Sequence, residues 1–356
     1  MARLLVAMSG GVDSAVSALL LKQAGHDLTG VFMKNYEPPT GTVGPCPWEQ
    51  DQADVAATCA VLAIPWESWN FEKAYADRVL EYFFREYQDG RTPNPDIMCN
   101  REIKFGVFLQ RALAEGFEAL ATGHYARNEH RAGTYHLLAG VDVSKDQTYF
   151  LHQLTQRELA HVLFPIGNMQ KTVVRELARE AGLPVADKPD SQGICFVGKV
   201  DVAEFLQNHV MARPGKVLTA AGEYVGEHRG LPFYTIGQRH GLGVGGGVPY
   251  FVAKKNLKDN TLIVAQGNRD TTLFASALNA SQVSWVAGRP PVLPLSCQAR
   301  IRYRQPLVSC RVDEHAQGLC VTFNEPQRAI TPGQSIVFYA NDDCLGGAVI
   351  DETCAE

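Results

Sequence analysis

Apolar and polar positions along the first half of the chain follow two alternating patterns. Short apolar runs have the length and composition of buried parallel strands; they are 4–8, 28–33 and 119–122. Segments with helical spacing follow them, and the predicted helices are 12–24, 50–63, 72–88 and 172–181. Because strands and helices alternate, we predict a doubly wound parallel sheet that binds ligands at the C-terminal ends of its strands.

The pattern changes after about residue 210. Glycine, proline, valine and threonine become more frequent, and the apolar runs become short and bounded by turns, as in small sheets and barrels. The predicted strands are 216–219, 233–236, 250–254, 261–265, 281–287, 297–301, 310–312, 320–323 and 335–339. We therefore predict an α/β chain with a parallel-sheet domain over 1–210, a small all-β domain over 211–271, and an all-β domain over 272–356.

Composition narrows the class of protein. The 356 residues can bury a core without disulfide or metal staples. No apolar run approaches the roughly 18 residues of a membrane span, and the run at 4–7 is too short for a signal peptide. We therefore expect a cytoplasmic protein with no membrane partner. The nine cysteines are an odd number without a CxxC pair, which disfavours a disulfide framework, a zinc ribbon and an iron–sulfur cluster.

Charge is distributed unevenly. The 33 basic and 38 acidic residues give a net charge of −5, which by itself argues against a nucleic-acid partner. However, segment 229–304 holds 10 basic and two acidic residues. A polyanion would bind there, although an ordinary solvated basic surface is also consistent with this composition.

A glycine-rich string, SGGVDS (9–14), lies between the first predicted strand and helix. Its glycines let the backbone approach a ligand, and the helix N-terminus offers free N–H groups to an anion. Ser9 and Ser14 add hydroxyl donors, whereas Asp13 would repel phosphate unless it acts through Mg²⁺ or orients the loop. The GxxxxGK[ST] pattern is absent, so this is not a Walker loop. A plain glycine turn with a helix cap is the alternative.

Two cysteines are candidates for sulfur chemistry. Cys99 follows a stiff two-proline segment and is predicted to open a helix beside Arg101, which would lower its pKa. Asp96, three residues before Cys99, could exchange a proton with a substrate. Cys195 lies in a polar, glycine-containing loop. Either cysteine alone is consistent with a small buried residue, but together with the phosphate loop they indicate sulfur transfer to an activated oxygen.

The string at 9–14 resembles the pyrophosphate loop of the PP-loop ATP pyrophosphatase superfamily, whose members cleave ATP between the α and β phosphates. The whole chain resembles the MnmA family of tRNA-specific 2-thiouridylases. The matching strings are AMSGGVDS (7–14), GVFMKN (30–35), TPNPDIMCNREIKF (92–105), TGHYAR (122–127), KDQTYFL (145–151), SQGICFVG (191–198), GLPFYTIGQRHGLG (230–243), RYRQP (302–306) and PGQS (332–335). His240 departs from the family, which often has lysine there, so its charge depends on pH.

The resemblance implies a PP-loop first domain, a C-terminal tRNA-binding β-barrel, and formation of 2-thiouridine at the first anticodon position of tRNAs for lysine, glutamate and glutamine. ATP, with Mg²⁺, would contact Ala7, Met8, Ser9, Gly10, Gly11, Val12, Asp13, Ser14, Met33 and Gly123. Cys99 corresponds to the nucleophile and Cys195 to the persulfide carrier, and the two would form a transient disulfide. Asn94, Pro95 and Asp96 correspond to the target-base pocket, with Asp96 as general acid or base.

The implied tRNA contacts are His124, Lys145, Asp146, Gln147, Arg302, Tyr303, Arg304 and Gln334. A sulfur-donor or sulfur-relay protein and a monomeric enzyme are also expected. Structural alternatives remain for each position: Asp96 could cap a helix, His124 could be a buried structural histidine, 145–147 a solvated turn, and 302–304 a strand with both arginines pointing outward.

Two other functions remain open at this stage. Another PP-loop enzyme could adenylate a small molecule to make an amide or a ring, although Ala2 stands where glutamine-dependent members often carry an N-terminal cysteine. A non-catalytic tRNA-binding module that senses ATP would need neither Cys99 nor Cys195. If the basic segment binds RNA, binding should weaken with added salt, and Arg302→Ala or Arg304→Ala should reduce that dependence.

Overall fold

A computed structural model describes residues 1–37, 47–190, 202–207, 209–244 and 247–354. Within these ranges the strands β1 to β17, in chain order, are Arg3–Met8, Asp27–Lys34, Trp66–Asn70, Ala119–Ala121, Ala126–Arg131, Thr134–Ala139, Val162–Leu163, Gly215–Thr219, Tyr224–His228, Tyr250–Asn256, Thr261–Gln266, Phe274–Trp285, Leu295–Arg300, Val308–His315, Gly318–Arg328, Ser335–Ala340 and Asp343–Cys354.

The α-helices α1 to α10 are Val12–Gln23, Pro47–Leu62, Glu72–Tyr75, Glu81–Gln88, Pro95–Met98, Leu109–Ala114, Thr148–Leu151, Gln156–Leu159, Lys171–Glu180 and Val202–Gln207. Two further segments, Ala76–Leu80 and Cys99–Phe108, are π-helical. Short 3-10 turns cover Leu231–Phe233 and Thr271–Leu273.

The first domain is built on a five-stranded parallel sheet with the order β3-β2-β1-β4-β7. Strand β1 is central, and its residues Leu4 to Met8 are buried because helices cover both faces of the sheet. One face packs against α1, α2 and α9, whereas the other packs against α6 and the π-helical segments. The predicted doubly wound parallel sheet is therefore confirmed.

The middle of the chain forms a four-stranded mixed sheet with the order β10-β11-β8-β9. The predicted strand at 233–236 is wrong. Pro232 lacks a backbone N–H, and the chain instead makes a 3-10 turn there before bending at Gly237, which has φ +84°. The apolar residues of that segment, including the buried Tyr234, fill the core of this small domain without forming a strand.

The last domain is a closed barrel of six strands, which confirms the C-terminal β-barrel expected from the family resemblance. The strands follow the order β12-β15-β14-β13-β16-β17, and β12 pairs with β17 to close the ring. Strand β17 also pairs with β6, which forms a hairpin with β5 of the first domain. This hairpin was not predicted, and the boundaries at 210 and 271 remain predictions.

Hydrogen bonds fix the barrel against the first domain. The Thr92 N–H donates to Pro332 O at 2.9 Å, and Gln334 Nε2 donates to Thr92 O at 2.8 Å. The Tyr149 hydroxyl donates to Ser335 O at 2.9 Å. These contacts hold the segment before β16 against the segment before α5 and against α7. Among the described residues, no helix is long and apolar enough to cross a membrane.

Candidate active site

A cavity of about 520 Å³ opens at the C-terminal ends of β1, β2 and β4. That volume suits a nucleotide or a small ligand. Its lining includes most of the predicted site residues, namely Ala7, Met8, Ser9, Gly11, Val12, Asp13, Ser14, Met33, Asp96, Gly123, His124, Lys145, Gln147, Tyr303 and Arg304. Seven predicted residues of the described part of the chain are not part of its lining, namely Gly10, Asn94, Pro95, Cys99, Asp146, Arg302 and Gln334. Cys195 lies outside the described residues.

The phosphate loop has the geometry of an anion site. Gly10 has φ +72°, and a Cβ there would meet Asp51 O at 2.5 Å, so the position requires glycine. The Ser14 hydroxyl donates to Gly11 O at 3.1 Å and accepts from the Ser9 N–H at 3.2 Å. No side chain caps α1 at Gly11, so its first N–H groups are available to an anion.

The negative charge of Asp13, the acidic residue of this loop, is neutralised by side chains of the protein. Lys171 Nζ donates to both carboxylate oxygens at 2.8 Å, and the Tyr125 hydroxyl donates to Oδ1 at 2.9 Å. Burial and the Asp13 charge raise the pKa of Tyr125 above its ordinary value, which keeps the hydroxyl protonated as a donor. These contacts favour a role for Asp13 in orienting the loop, one of the two roles that the sequence left open.

A second lysine holds the loop in place. Lys188 Nζ donates to Gly10 O at 2.9 Å, to Asp51 at 2.6 Å and to Asp54 at 2.5 Å. Burial would lower the pKa of Lys188, but the hydrogen bonds to Asp51 and Asp54 raise it, so the lysine stays charged. Neither Lys171 nor Lys188 could be predicted from the sequence, because each lies more than 150 residues from its partner in the loop.

The Asp190 carboxylate forms ion pairs with three basic side chains at the edge of the cavity. Its carboxylate lies 2.7 Å from Lys145 Nζ, 2.8 Å from Lys171 Nζ and 3.0 Å from Arg175 Nη2. Burial opposes ionisation, but the hydrogen bonds from Lys145 and Lys171 lower the pKa of Asp190 to about 2. Lys145, a predicted tRNA contact, thus lines the cavity as one half of an ion pair.

Three predicted tRNA contacts form hydrogen bonds with other groups of the protein. Asp146 is 2% exposed and accepts from the Thr148 hydroxyl at 2.8 Å. Arg302 Nη2 donates to Ile236 O, Ala329 O and Thr331 Oγ1, each at 2.9 Å, within a turn and not a strand. Gln334 binds the backbone before α5. Contact of these three residues with tRNA stays a prediction.

The wall opposite the phosphate loop is a helix that starts earlier than predicted. Asn94 Oδ1 accepts from the Asp96 N–H at 3.2 Å and the Ile97 N–H at 3.3 Å, so Asn94 is the helix cap. Cys99 therefore lies one turn inside the helix, fully buried in the core. The helix start that was predicted at Cys99 is therefore wrong, because the helix begins one turn earlier.

The face of this helix toward the cavity carries Asp96, Asn100 and Lys104, which are four residues apart. Above them, the rings of Phe150 and Tyr303 lie 4.4 Å apart between centroids and form an aromatic wall. These lining residues, apart from Asp96 and Tyr303, were not proposed from the sequence, since only the fold turns them toward the cavity.

His124 is buried beside this wall. Its Nδ1 lies 2.7 Å from the Thr122 hydroxyl, and its ring packs against Phe105 and Phe164. Burial and the nearby Lys104 charge lower the pKa of His124 well below its ordinary value. The imidazole is therefore neutral at physiological pH, and any contact it makes with RNA is a neutral hydrogen bond.

The donor set does not fit a resident metal ion. In the described part of the chain, no group of three His, Cys, Asp or Glu side chains is arranged to hold one. Asp13, the carboxylate of the glycine loop, is already paired with Lys171. Any divalent cation at this loop would therefore have to be held mainly by the ligand itself.

Three family models cover most of the chain. The tRNA methyl transferase HUP domain matches residues 2–199, the tRNA methyl transferase PRC-barrel domain matches 203–266, and the Aminomethyltransferase beta-barrel domain matches 275–350. Their descriptions name methyl transfer, whereas the full-length relatives below carry a different activity in their names. We assign the family from these relatives, because they match nearly the whole chain at high identity.

Curated relatives from several bacteria align over nearly the full length. The tRNA-specific 2-thiouridylase MnmA of Geobacillus thermodenitrificans is 52% identical, over 98% of this chain and 95% of that protein. The protein of the same name from Streptococcus mutans is 51% identical, over 99% and 96%. A solved 4-thiouridine synthetase–RNA complex with bound ATP covers 59% of this chain and 50% of that chain, with 20% identity and a TM-score of 0.37, too low to support a conclusion.

Proposed function

Because this chain belongs to the tRNA-specific 2-thiouridylase family, we propose that its cavity adenylates the wobble uridine of tRNA and exchanges the 2-oxygen for sulfur. The observation that carries this proposal is the meeting of two features at one cavity. An uncapped helix N-terminus follows the glycine loop on one side, and the helix that contains Cys99 forms the opposite wall.

The first step uses ATP. We propose that the phosphates lie against residues 9–14, with Met33 and Gly123 beside the nucleotide, and that Mg²⁺ arrives with ATP. The uridine O2 attacks the α-phosphorus, the bond from that phosphorus to pyrophosphate breaks, and pyrophosphate leaves into the glycine loop. Asp96 lines the cavity and is the proposed acceptor of the uracil proton that this step releases. Adenylation converts a poor leaving group into a good one.

The second step delivers sulfur. A persulfide on Cys195 provides the terminal sulfur, which bonds to C2 as the C2–O2 bond breaks and AMP leaves. Either the persulfide attacks directly, and Cys99 then attacks the Cys195 sulfur, or Cys99 first releases sulfide. Both routes end in a Cys99–Cys195 disulfide, which an external dithiol must reduce before the next turnover. A separate sulfur-donor or sulfur-relay protein reloads Cys195.

Cys99 must leave the core to react. The π-helical segment that begins at Cys99 contains Gly106 at φ −91° and ψ −106°, outside helical geometry. Such segments are often found at functional sites. We propose that tRNA binding shifts this segment and brings the Cys99 thiol to the cavity.

For RNA contact we retain the predicted residues that line the cavity, His124, Lys145, Gln147, Tyr303 and Arg304. Asp146, Arg302 and Gln334 become positioning residues that hold the surrounding segments. We propose a monomeric, cytoplasmic enzyme that acts on the tRNAs for lysine, glutamate and glutamine.

The test is a reconstituted reaction with ATP, a sulfur donor and one of these tRNAs. We expect 2-thiouridine at position 34 together with AMP and pyrophosphate, no thiolation by Cys195→Ser or Cys99→Ser, and normal thiolation by the control Cys354→Ser, whose thiol lies at the end of β17 away from the cavity. AMP formation without a thionucleoside would favour a different adenylating enzyme. Binding without ATP cleavage would favour a sensor module.

A further inference from the structure

Two cysteines of the barrel face each other across neighbouring strands. Cys297 of β13 and Cys310 of β14 are register partners in an antiparallel pair, and their Sγ atoms lie 3.7 Å apart. Both thiols are free. Directly opposed residues of an antiparallel pair have Cα atoms about 4.5 or 5.5 Å apart, and a disulfide can span either distance. The backbone therefore already places these two residues for a bond.

The two thiols have different surroundings. Cys310 is 3% exposed and belongs to the barrel core, whereas Cys297 is partly exposed and packs against that core. The hydrogen bond between the thiols lowers the pKa of Cys297 below its ordinary value, although burial opposes this change. The same hydrogen bond, together with burial, raises the pKa of Cys310. Cys297 is therefore the thiol that ionises first and the one that a small reagent reaches.

The cysteine pair joins the two strands of a hairpin that reaches the cavity. Residues 301–307 connect β13 to β14, and Tyr303 and Arg304 of this connection line the cavity. Neither Cys297 nor Cys310 is part of the cavity lining. A bond between the two sulfurs would hold together the strands from which the connection extends. It would therefore restrict the motion of the connection without changing the chemical groups that face the cavity.

We propose that Cys297 and Cys310 form a reversible disulfide that cross-links β13 and β14 when the protein meets a peroxide. The Cys297 thiolate attacks one oxygen of hydrogen peroxide, the O–O bond breaks and hydroxide leaves, which gives a sulfenic acid on Cys297. The Cys310 thiol then bonds to that sulfur and displaces its oxygen as water. Two thiols are oxidised and one peroxide is reduced to two waters. A dithiol restores both thiols by exchange.

The proposal is independent of the proposed function, because it involves neither ATP nor tRNA. It also concerns a different pair of thiols from Cys99 and Cys195. The alternative is a pair that stays reduced and only fills the barrel core, since cysteine also packs as a small apolar residue. Oxidation of the protein distinguishes the two possibilities.

The first experiment maps disulfides in the full-length Cys99→Ser/Cys195→Ser variant, in which the proposed catalytic thiols cannot pair. The protein is treated with hydrogen peroxide, its remaining thiols are alkylated, and it is digested with trypsin without reduction. Mass spectrometry should show the peptides of Cys297 and Cys310 linked in most molecules, and dithiothreitol should remove the link. Two separate peptides, or sulfinic acid on Cys297 without a link, would overturn the proposal. The same map of the unmodified protein is the second measurement if the variant does not fold.

The second experiment tests which thiol reacts first. Cys310→Ala and Cys297→Ala are each treated with peroxide in the presence of dimedone, which traps sulfenic acids. We expect labelling of Cys297 in Cys310→Ala to be at least about 10-fold faster than labelling of Cys310 in Cys297→Ala, because Cys297 is the more exposed and the more readily ionised thiol. Equal rates, or faster labelling of Cys310, would contradict the proposed order of attack.

The third experiment measures what the cross-link does to the hairpin. Arg304 is exposed in the connection, so trypsin can cleave there once the hairpin opens locally. We expect oxidation to slow this cleavage about 10-fold in the unmodified protein and to leave it unchanged in Cys297→Ala. Cleavage after Arg131, whose side chain is 54% exposed in the β5–β6 hairpin, is the control and should not change. An unchanged rate at Arg304 in cross-linked protein would show that the bond does not restrict the connection.

Discussion

The two walls of the cavity differ in how completely their polar groups are paired. In the phosphate loop, Asp13 is neutralised by Lys171 and Tyr125, and the Gly10 carbonyl is held by Lys188. On the opposite wall, Asn100 Oδ1 has no described partner, and the buried Cys99 starts a π-helical segment with a non-helical residue inside. This difference supports our proposal that a preorganised loop binds the nucleotide and that the sulfur-transfer site is completed when tRNA binds.

The largest expected effect on ATP binding comes from a substitution in the glycine loop. Gly10→Ala places a side chain at φ +72° and 2.5 Å from Asp51 O, so the loop or the start of α2 must move. We expect ATP affinity to fall on the order of 100-fold, since left-handed strain of about 1–2 kcal/mol adds to the clash.

Gly25→Ala is the matched control for Gly10→Ala. Gly25 also has a left-handed φ, +82°, but nothing lies within 4 Å of the added Cβ. Isothermal titration should show ATP affinity unchanged in this variant, with a stability loss of about 1 kcal/mol from strain alone. If both variants bind ATP equally well, the rigidity assigned to the loop is wrong.

The next effect tests the ion pair between Lys171 and Asp13. Lys171→Met leaves Asp13 without its cation, so we expect the KM for ATP to rise about 10-fold because the carboxylate then repels phosphate. The double variant Lys171→Met/Asp13→Asn should recover part of that loss. Lys73→Met, at a lysine side chain that is 88% exposed, serves as the control. Additive effects of the two changes in steady-state kinetics would contradict the coupling.

A smaller effect distinguishes two neighbouring arginines. Arg304 lines the cavity, whereas Arg302 is bound by three protein acceptors. Arg304→Ala should lower the slope of log affinity for tRNA against log salt by roughly 0.7, the value for one lost phosphate contact on single-stranded RNA. Arg302→Ala should leave that slope unchanged and lower the melting temperature, because it removes a link between the barrel and the middle domain. The opposite pattern would show that Arg302 contacts RNA.

The smallest expected effect is a pH dependence at the edge of the cavity. The pKa of Asp190 is lowered to about 2 from its ordinary 3.8, so its contribution to stability is complete above pH 4 and is lost as the pH falls toward 2. Asp190→Asn should reduce the loss of stability in that window, measured by denaturant unfolding. Asp187→Asn, at a side chain that is 79% exposed, is the control. Identical pH profiles for wild type and Asp190→Asn would rule out the ion-pair cluster as a source of stability.

The features that could be predicted from the sequence are those that neighbouring residues determine. The loop at 9–14 is contiguous, so its glycines, hydroxyls and helix start are all readable from neighbouring residues. The same holds for the parallel strands, whose apolar runs are buried on both faces. The hairpin β5–β6 was missed because its first strand, Ala126–Arg131, is largely polar and its partner in the barrel, β17, is distant in sequence.

The features that the sequence did not predict depend on distant contacts. Lys171 and Lys188 are ordinary charges until the fold brings them to the loop. Cys99 was expected at a helix start, but Asn94 caps the helix one turn earlier, and the thiol turns into the core. The hydrogen bond from Arg302 to Ile236 O could not be predicted from the sequence, because Ile236 belongs to the middle domain and lies 66 residues away along the chain.

The central claim is that the 2-oxygen of the wobble uridine is adenylated in this cavity before sulfur replaces it. The most direct measurement uses tRNA with ¹⁸O at O2 of uridine 34, in the reconstituted reaction, followed by mass spectrometry of the nucleotide products. The account predicts that each 2-thiouridine formed is matched by one AMP carrying the label, with unlabelled pyrophosphate. Thiolation with unlabelled AMP, or label in pyrophosphate, would contradict it.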